Sequence, residues 1–136
     1  MANDAVIEHL DSTQTVAIIT TRADGSEVAT PIWSVTVGGS GYLRSYLGPR
    51  AGWYLRALSG RPTTFSLADG RVAERDPAAA LATPRSSVTV TPIAVDDPVQ
   101  AEVDAALRAK YGRQGASLTS MIVAPAIECT VRIDPA

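Results

Sequence analysis

Between Val28 and Ala68 the chain carries Arg44, Arg50, Arg56 and Arg61 and not one aspartate or glutamate. Six of its seven aromatic residues fall in the same window: Trp33, Tyr42, Tyr46, Trp53, Tyr54 and Phe65. Guanidinium groups are planar, permanently charged donor forks, and aromatic side chains offer flat apolar faces. Together they suit a flat, anionic ligand. The competing reading is that the aromatics build a core and the arginines solvate one face. Arg44 alternates with Tyr42 and Tyr46, which puts all three on one side of a strand. Arg50, Trp53 and Arg56 recur every third residue, which puts them along one helical face. Arg44, Ser45, Arg50 and Arg56 could donate to a phosphate. A strand edge from Thr30 through Pro31 and Ile32 to Trp33 could give a ring an apolar shelf and backbone donors.

Most other chemistries lack their residues. The one histidine, His9, stands near the N-terminus, where a surface or helix-end role fits better than a nucleophilic triad. It cannot build a multi-histidine metal site, so no metal is expected. The one cysteine, Cys129, alternates with apolar residues and reads as a packed thiol. Gly39 and Gly41 lack the third glycine of a dinucleotide fingerprint and join two strands. The one lysine, Lys110, lies near a helix end and belongs to no phosphate loop, and Asp96-Asp97 reads as a helix cap. What survives is chemistry carried by a bound cofactor, which asks the protein for orientation, electrostatics and exclusion of water.

The rest of the chain sets the frame. Its 136 residues make 14.2 kDa, one domain's worth of core, read as a single domain over 1–136 with 1–13 an N-terminal helical arm. A net charge of −2 averages a +4 window and a −6 remainder, so a generally basic nucleic-acid binder is not expected. No apolar run approaches the roughly 18 residues of a membrane span. Asp4 and Glu8 argue against a signal peptide, and the expected location is the reducing cytoplasm.

The elements that must position the window are mostly short strands. Asn3 or Asp4 would cap a first helix with Val6, Ile7 and Leu10 inward. Thr15–Thr21 and Glu27–Val37 flank Asp24-Gly25, a hairpin signal, and Pro31 demands an edge, bulge or interruption in the second strand. Tyr42–Leu47 would complete a three-stranded meander. A helix over Arg50–Leu58 would turn Ala51, Leu55 and Leu58 inward. Thr63–Leu67 and Arg71–Arg75 read as a hairpin, 76–86 as a loop or one irregular turn, and Ser87–Val95 as a strand. Asp97, Pro98 and Gln100 announce a helix with Val99, Val103, Leu107 and Tyr111 as its stripe, an Asp104–Arg108 pair, and Gly112 as its stop. Residues 113–125 give no clear pattern. The last strand, Ile127–Ile133, should turn Ile127, Cys129, Val131 and Ile133 in, and Glu128, Thr130 and Arg132 out. The fold class is mainly β (α+β): an antiparallel split β-barrel with two or three short peripheral helices.

Thr20-Thr21-Arg22-Ala23-Asp24-Gly25, then Thr30-Pro31-Ile32-Trp33, then Tyr42-Leu43-Arg44-Ser45-Tyr46, resembles the opening of the pyridoxamine-phosphate-oxidase-like, flavin-binding split barrels. The run from Tyr42 to Tyr54 is similar to a small, uncharacterised bacterial branch of them, as are Ala105–Gly112 and Met121. The likeness runs from about Val16 to Ile133. It implies a homodimer with flavin or deazaflavin in grooves between the subunits. Arg44, Ser45, Arg50 and Arg56 would hold the phosphate, Thr30, Pro31, Ile32 and Trp33 would face the ring, and Trp53 would help wall the pocket. Many FMN-binding members carry a serine-lysine pair where this chain has Gly48-Pro49-Arg50, which leaves open another anionic ligand or no cofactor. Eleven arginines to one lysine favour the deazaflavin F420 among the candidates. The expected function is therefore an FMN- or F420-dependent oxidoreductase acting on a small organic molecule, with no catalytic acid or base identified. The alternatives are a non-catalytic flavin, haem or metabolite binder and, less favoured, a nucleotide or nucleic-acid binder.

Overall fold

Pro31 has no N–H to give a neighbouring strand, and the fold meets that constraint at an edge of the sheet. In the computed structural model, which describes residues 4–136, β1 (Val16–Thr21) and β2 (Glu27–Ile32) form the expected hairpin. Gly25 turns it at φ +89°, and Asp24 accepts hydrogen bonds from the Ser26 N–H and hydroxyl. Beyond Ile32 the backbone leaves the sheet. The Ser34 N–H donates to the Tyr111 hydroxyl, and the Ser34 hydroxyl donates to the Leu10 carbonyl. The chain re-enters as β3 (Val35–Val37), paired with β4 (Ser40–Arg44).

This corrects the expected meander. The stretch read as one strand is two, because the Ser34 N–H and carbonyl find their partners outside the sheet, on Tyr111 and Lys110. Those two pieces end up at opposite edges of a seven-stranded antiparallel sheet, in the order β2-β1-β5-β6-β7-β4-β3. The remaining strands are β5 (Thr63–Ser66), β6 (Arg85–Ile93) and β7 (Thr130–Pro135). The sheet curls into the half-barrel of an α+β split-barrel fold.

Six short helices are present among the described residues rather than two or three: α1 (Asp4–Ser12), α2 (Gly52–Ala57), α3 (Arg71–Arg75), α4 (Pro77–Leu81), α5 (Val99–Tyr111) and α6 (Ala116–Met121). Asn3 and the Asp4 side chain, the expected caps of α1, lie outside what is described. Arg71–Arg75 is helix and not strand, because the Asp69 carboxylate takes the Arg71 N–H and nucleates a turn. Residues 76–86 hold α4, capped by the Asp76 carboxylate on the Ala78 and Ala79 N–H groups with Pro77 in its first turn. Residues 113–125 hold α6. Ile127–Cys129 is a 3₁₀ turn, so β7 starts at Thr130, which is buried rather than outward. None of these helices is long and apolar enough to cross a membrane.

The core has three parts, one of which packs Ala17, Ile19 and Ala29 against Ala73 of α3 and Ala80 of α4. Inside the curl, Val16, Ile18, Leu43, Phe65, Val131 and Ile133 meet Val6 and Leu10 of α1 and Trp53 of α2. On the outer face of β3 and β4, Val35 and Tyr42 meet Val103, Leu107 and Tyr111 of α5 and Met121 of α6. The predicted stripe of α5 is therefore the buried one. In α2 the expected inner face is wrong in part: Ala51, Trp53 and Ala57 are buried, while Leu55 and Leu58 are exposed. A helix of six residues offers one narrow buried face, and the bulkiest ring takes it. His9 lies away from these events, its Nδ1 bonded to the Thr13 hydroxyl. Burial holds its imidazole below the ordinary value despite the nearby Asp69 carboxylate.

Gly70 fixes how the α3 turn meets β1. Its N–H donates to the Thr15 carbonyl, and a Cβ there would stand 2.5–2.6 Å from Thr15 and Val16 backbone atoms. Backbone cannot yield as a side chain can. Gly70→Ala should therefore cost about 1–3 kcal/mol of stability in a urea titration, and an unchanged midpoint would contradict this packing.

Candidate functional site

Four segments converge on one concave surface: the end of β2, the end of β4 with the following turn, α2, and α6. The cleft between them measures about 610 Å³, within the range of small-molecule sites. Eight of the nine residues the sequence singled out line it: Thr30, Pro31, Ile32, Trp33, Arg44, Ser45, Trp53 and Arg56. Arg50 does not. It closes the 3₁₀ turn Gly48–Arg50 and points to solvent.

The backbone around Ser45 explains why β4 stops where it does. The Ser45 hydroxyl donates to the Gly48 carbonyl, and the Gly48 N–H returns a bond to the Ser45 carbonyl. Gly48 takes φ +72°, a conformation that strains any side chain. The chain is thereby bent from the strand into the turn and then into α2. Tyr46 and Leu47 are left at the rim, both more than half exposed. Tyr42 and Arg44 do share a face of β4, while Tyr46 lies beyond the strand and leaves that face.

Arg44 forms one wall but offers the cleft no free donor. It is 3% exposed and spends all five N–H groups on the protein. Nε donates to the Thr130 hydroxyl, one terminal nitrogen to the Asp104 carboxylate and the Met121 carbonyl, and the other to the Gln100 carbonyl and side-chain oxygen. This network also revises two readings of α5. The Asp104 carboxylate goes to Arg44 rather than to Arg108. Gln100 is buried against Arg44 instead of closing a capping box, although the Asp97 carboxylate does accept the Val99 N–H. A buried guanidinium outcompetes both local contacts because leaving it unpaired would be costly.

The cation that does face the cleft is Arg56. Its Nε donates to the Thr20 hydroxyl at 2.8 Å, and neither terminal nitrogen has a hydrogen-bond partner among the described residues. Burial lowers its pKa, with the positive charges of Arg22 and Arg61 adding to the effect. The side chain lies back over Gly52, where a Cβ would come 2.7 Å from one terminal nitrogen. Opposite, the Trp33 ring stacks on Tyr111 at 4.1 Å with planes 6° apart, and Trp53 is buried edge-on to Tyr54.

Ser117, Ser120 and Met121 bring α6 into the wall. The sequence pattern does not mark the two serines, because six residues are too few to show a periodicity, and it marks Met121 only through the family resemblance. Among the described residues, no carboxylate, imidazole, amine or thiol lines the cleft. Cys129 is buried and free, as expected, and no group of three or more His, Cys, Asp or Glu side chains gathers for a metal among the described residues. The site can bind, stack and neutralise charge; it has no residue to act as a general base. Arg44→Met should cost about 3–5 kcal/mol in urea unfolding, because it strands the Asp104 carboxylate beside a closed core. Arg44→Lys should recover only part of this, since one ammonium cannot reach five acceptors.

Solved structures with this fold include the heme storage protein HutZ from Vibrio cholerae, with a TM-score of 0.65 and 13% identity over 96% of this chain and 87% of that one. ChuZ from Campylobacter jejuni follows at 0.61 and 11%, covering 98% and 51%. The FAD and heme binding protein from Mycobacterium smegmatis gives 0.55 and 18%, covering 99% and 64%. The chain thus spans about half to two thirds of the length of the latter two. At these identities the likeness is one of fold. No curated protein sequence matches the chain. The model of one family, described as an uncharacterized protein conserved in bacteria (DUF2255), matches residues 6–133, nearly the whole length, and the chain belongs to that family.

Proposed function

We propose that the chain is a binding protein for a flat, anionic ligand of the flavin class, seated in the cleft between β2, α2 and α6. The observation that carries this reading is the meeting of Thr30–Trp33, Trp53 and Arg56, which has no ion-pair partner among the described residues, in one cavity with no carboxylate among the described residues that line it. Trp33, Ile32 and Trp53 would bear on the ring, Arg56 on a phosphate, and the Ser117 and Ser120 hydroxyls on polar ring edges. Arg44 and Ser45, both buried and bonded within the protein, brace the wall. Split-barrel proteins described as heme storage and as FAD and heme binding support a carrier role.

Haem fits these residues less well than flavin does. An axial ligand is usually an imidazole, thiolate, thioether or phenolate. The chain's histidine and cysteine are not in the wall, and among the described residues the only such donors there are Met121 and Tyr46. FMN, FAD and F420 all answer to this class. Bound flavin supplies hydride chemistry of its own, and the chain's part in an oxidoreductase would be to orient the ring and exclude water. The exposed Tyr46 and Leu47 at the rim support a second copy of the chain as the partner that covers this face.

Titration of the purified protein with FMN, FAD, F420 and hemin, followed by the ligand's own absorbance or fluorescence, tests the reading. Micromolar flavin or deazaflavin binding is expected, with the complex sedimenting as a dimer. Arg56→Gln should weaken it about tenfold, the loss of one charge-assisted contact. Saturable hemin binding with no flavin binding would overturn the flavin assignment. Turnover of a nicotinamide or an organic acceptor by the loaded protein would make it an enzyme rather than a carrier.

A further inference from the structure

The end of α2 separates the cleft from a second groove of about 480 Å³. Arg56 faces the first, while the next two residues, Ala57 and Leu58, line the second. The wall of that groove is mostly apolar, with Pro62 from the loop and Val88 and Val90 from β6. Thr63, which is 5% exposed and whose hydroxyl has no hydrogen-bond partner, stands in it as well. Arg61 lies at this groove too.

Between the two grooves, the end of β1 gathers positive charge. Arg56 is tethered through Nε to the Thr20 hydroxyl, and Arg61 through Nε to the Thr21 carbonyl, each at 2.8 Å. The tethers are on adjacent residues, and both guanidinium groups keep their terminal nitrogens unbonded. Arg22 follows on the same strand end, with one terminal nitrogen on the Ser26 hydroxyl and Asp24 close by. No ion pair involves Arg56 or Arg61 among the described residues. Fixed guanidinium groups held together without a counter-charge are built to receive an anion with more than one negative group.

We propose that the ligand is of dinucleotide type, its ring in the cleft, its diphosphate across Arg56 and Arg61, and its second ring in the groove beyond α2. This rests on the cleft reading above and extends it. A monophosphate would engage Arg56 alone. An oligocarboxylate tail would use the arginines but leave the second groove empty.

FAD, FMN and F420 titrated against wild type, Arg61→Gln, Arg61→Lys and Leu58→Glu separate these cases. FAD should bind at least about tenfold tighter than FMN, the worth of one added charge-assisted contact. Arg61→Gln and Leu58→Glu should each erase most of that advantage and leave FMN affinity within about twofold, while Arg61→Lys should keep most of it. Circular dichroism and thermal melting confirm that each variant is folded. Equal FAD and FMN affinities that respond only to Arg56→Gln would overturn the dinucleotide proposal and leave the cleft standing. An F420 preference lost in Arg61→Gln but untouched by Leu58→Glu would overturn it in favour of an oligocarboxylate tail. Failure of all three ligands to bind would overturn the cleft reading with it.

Discussion

A buried guanidinium must have every donor satisfied, and much of this structure is arranged around that requirement at Arg44. Its five bonds reach the side chain that opens β7, the first two turns of α5, and the backbone carbonyl that ends α6. Removing any partner would leave charge or polarity stranded where water cannot reach, a penalty larger than most single contacts confer. Arg44 therefore acts as a joint between the sheet and the helices packed outside it. Helix α6, which has six residues and little amphipathic character of its own, is held against the cleft in part by this joint. The residue that looks most like a ligand donor in the sequence is the one that builds the wall of the cleft.

That division of labour is what the sequence could not reveal. Arginine has one letter whether its fork is saturated or free, and what decides between the two is long-range. Asp104, Gln100, Met121 and Thr130 lie 56 to 86 residues away from Arg44 along the chain. The features that could be read were local ones. The Asp24-Gly25 turn, the apolar stripe of α5 and the acid-free aromatic window depend on neighbours a few residues apart, and all three hold. The two errors have different causes. The Asp-Gly signal at Asp69-Gly70 reads as a hairpin turn, but the Asp69 carboxylate takes the Arg71 N–H two residues on and starts a helical turn instead. Glu27–Val37 reads as continuous because β-propensity carries across Trp33–Ser34, and there tertiary hydrogen bonds between Ser34 and Tyr111 override local preference. Of the site, the residues contiguous with the window were legible; α6 was not, since nothing short and weakly patterned declares which neighbour it will meet.

The distribution of charge follows the same logic. The window from Val28 to Ala68 contributes one arginine to the interior, one to solvent, and two to the end of β1. Among the described residues neither arginine of the last pair has an ion-pair partner, so the bulk acidity of the chain and a focused positive patch coexist without conflict. Both guanidinium groups are fixed by tethering each Nε to β1, which removes much of the rotamer freedom that long side chains would otherwise lose on binding.

Trp33 and Trp53 are the only tryptophans of the chain, and both stand in the cleft wall, one against a tyrosine ring and one against the core. The indole emission of the whole molecule therefore originates at the surface where a guest would lie. A ring system stacked within a few ångströms would quench it or draw off its energy, while events elsewhere in the barrel would leave it nearly silent. The fold has placed its own optical reporter at the one location whose occupancy is in question.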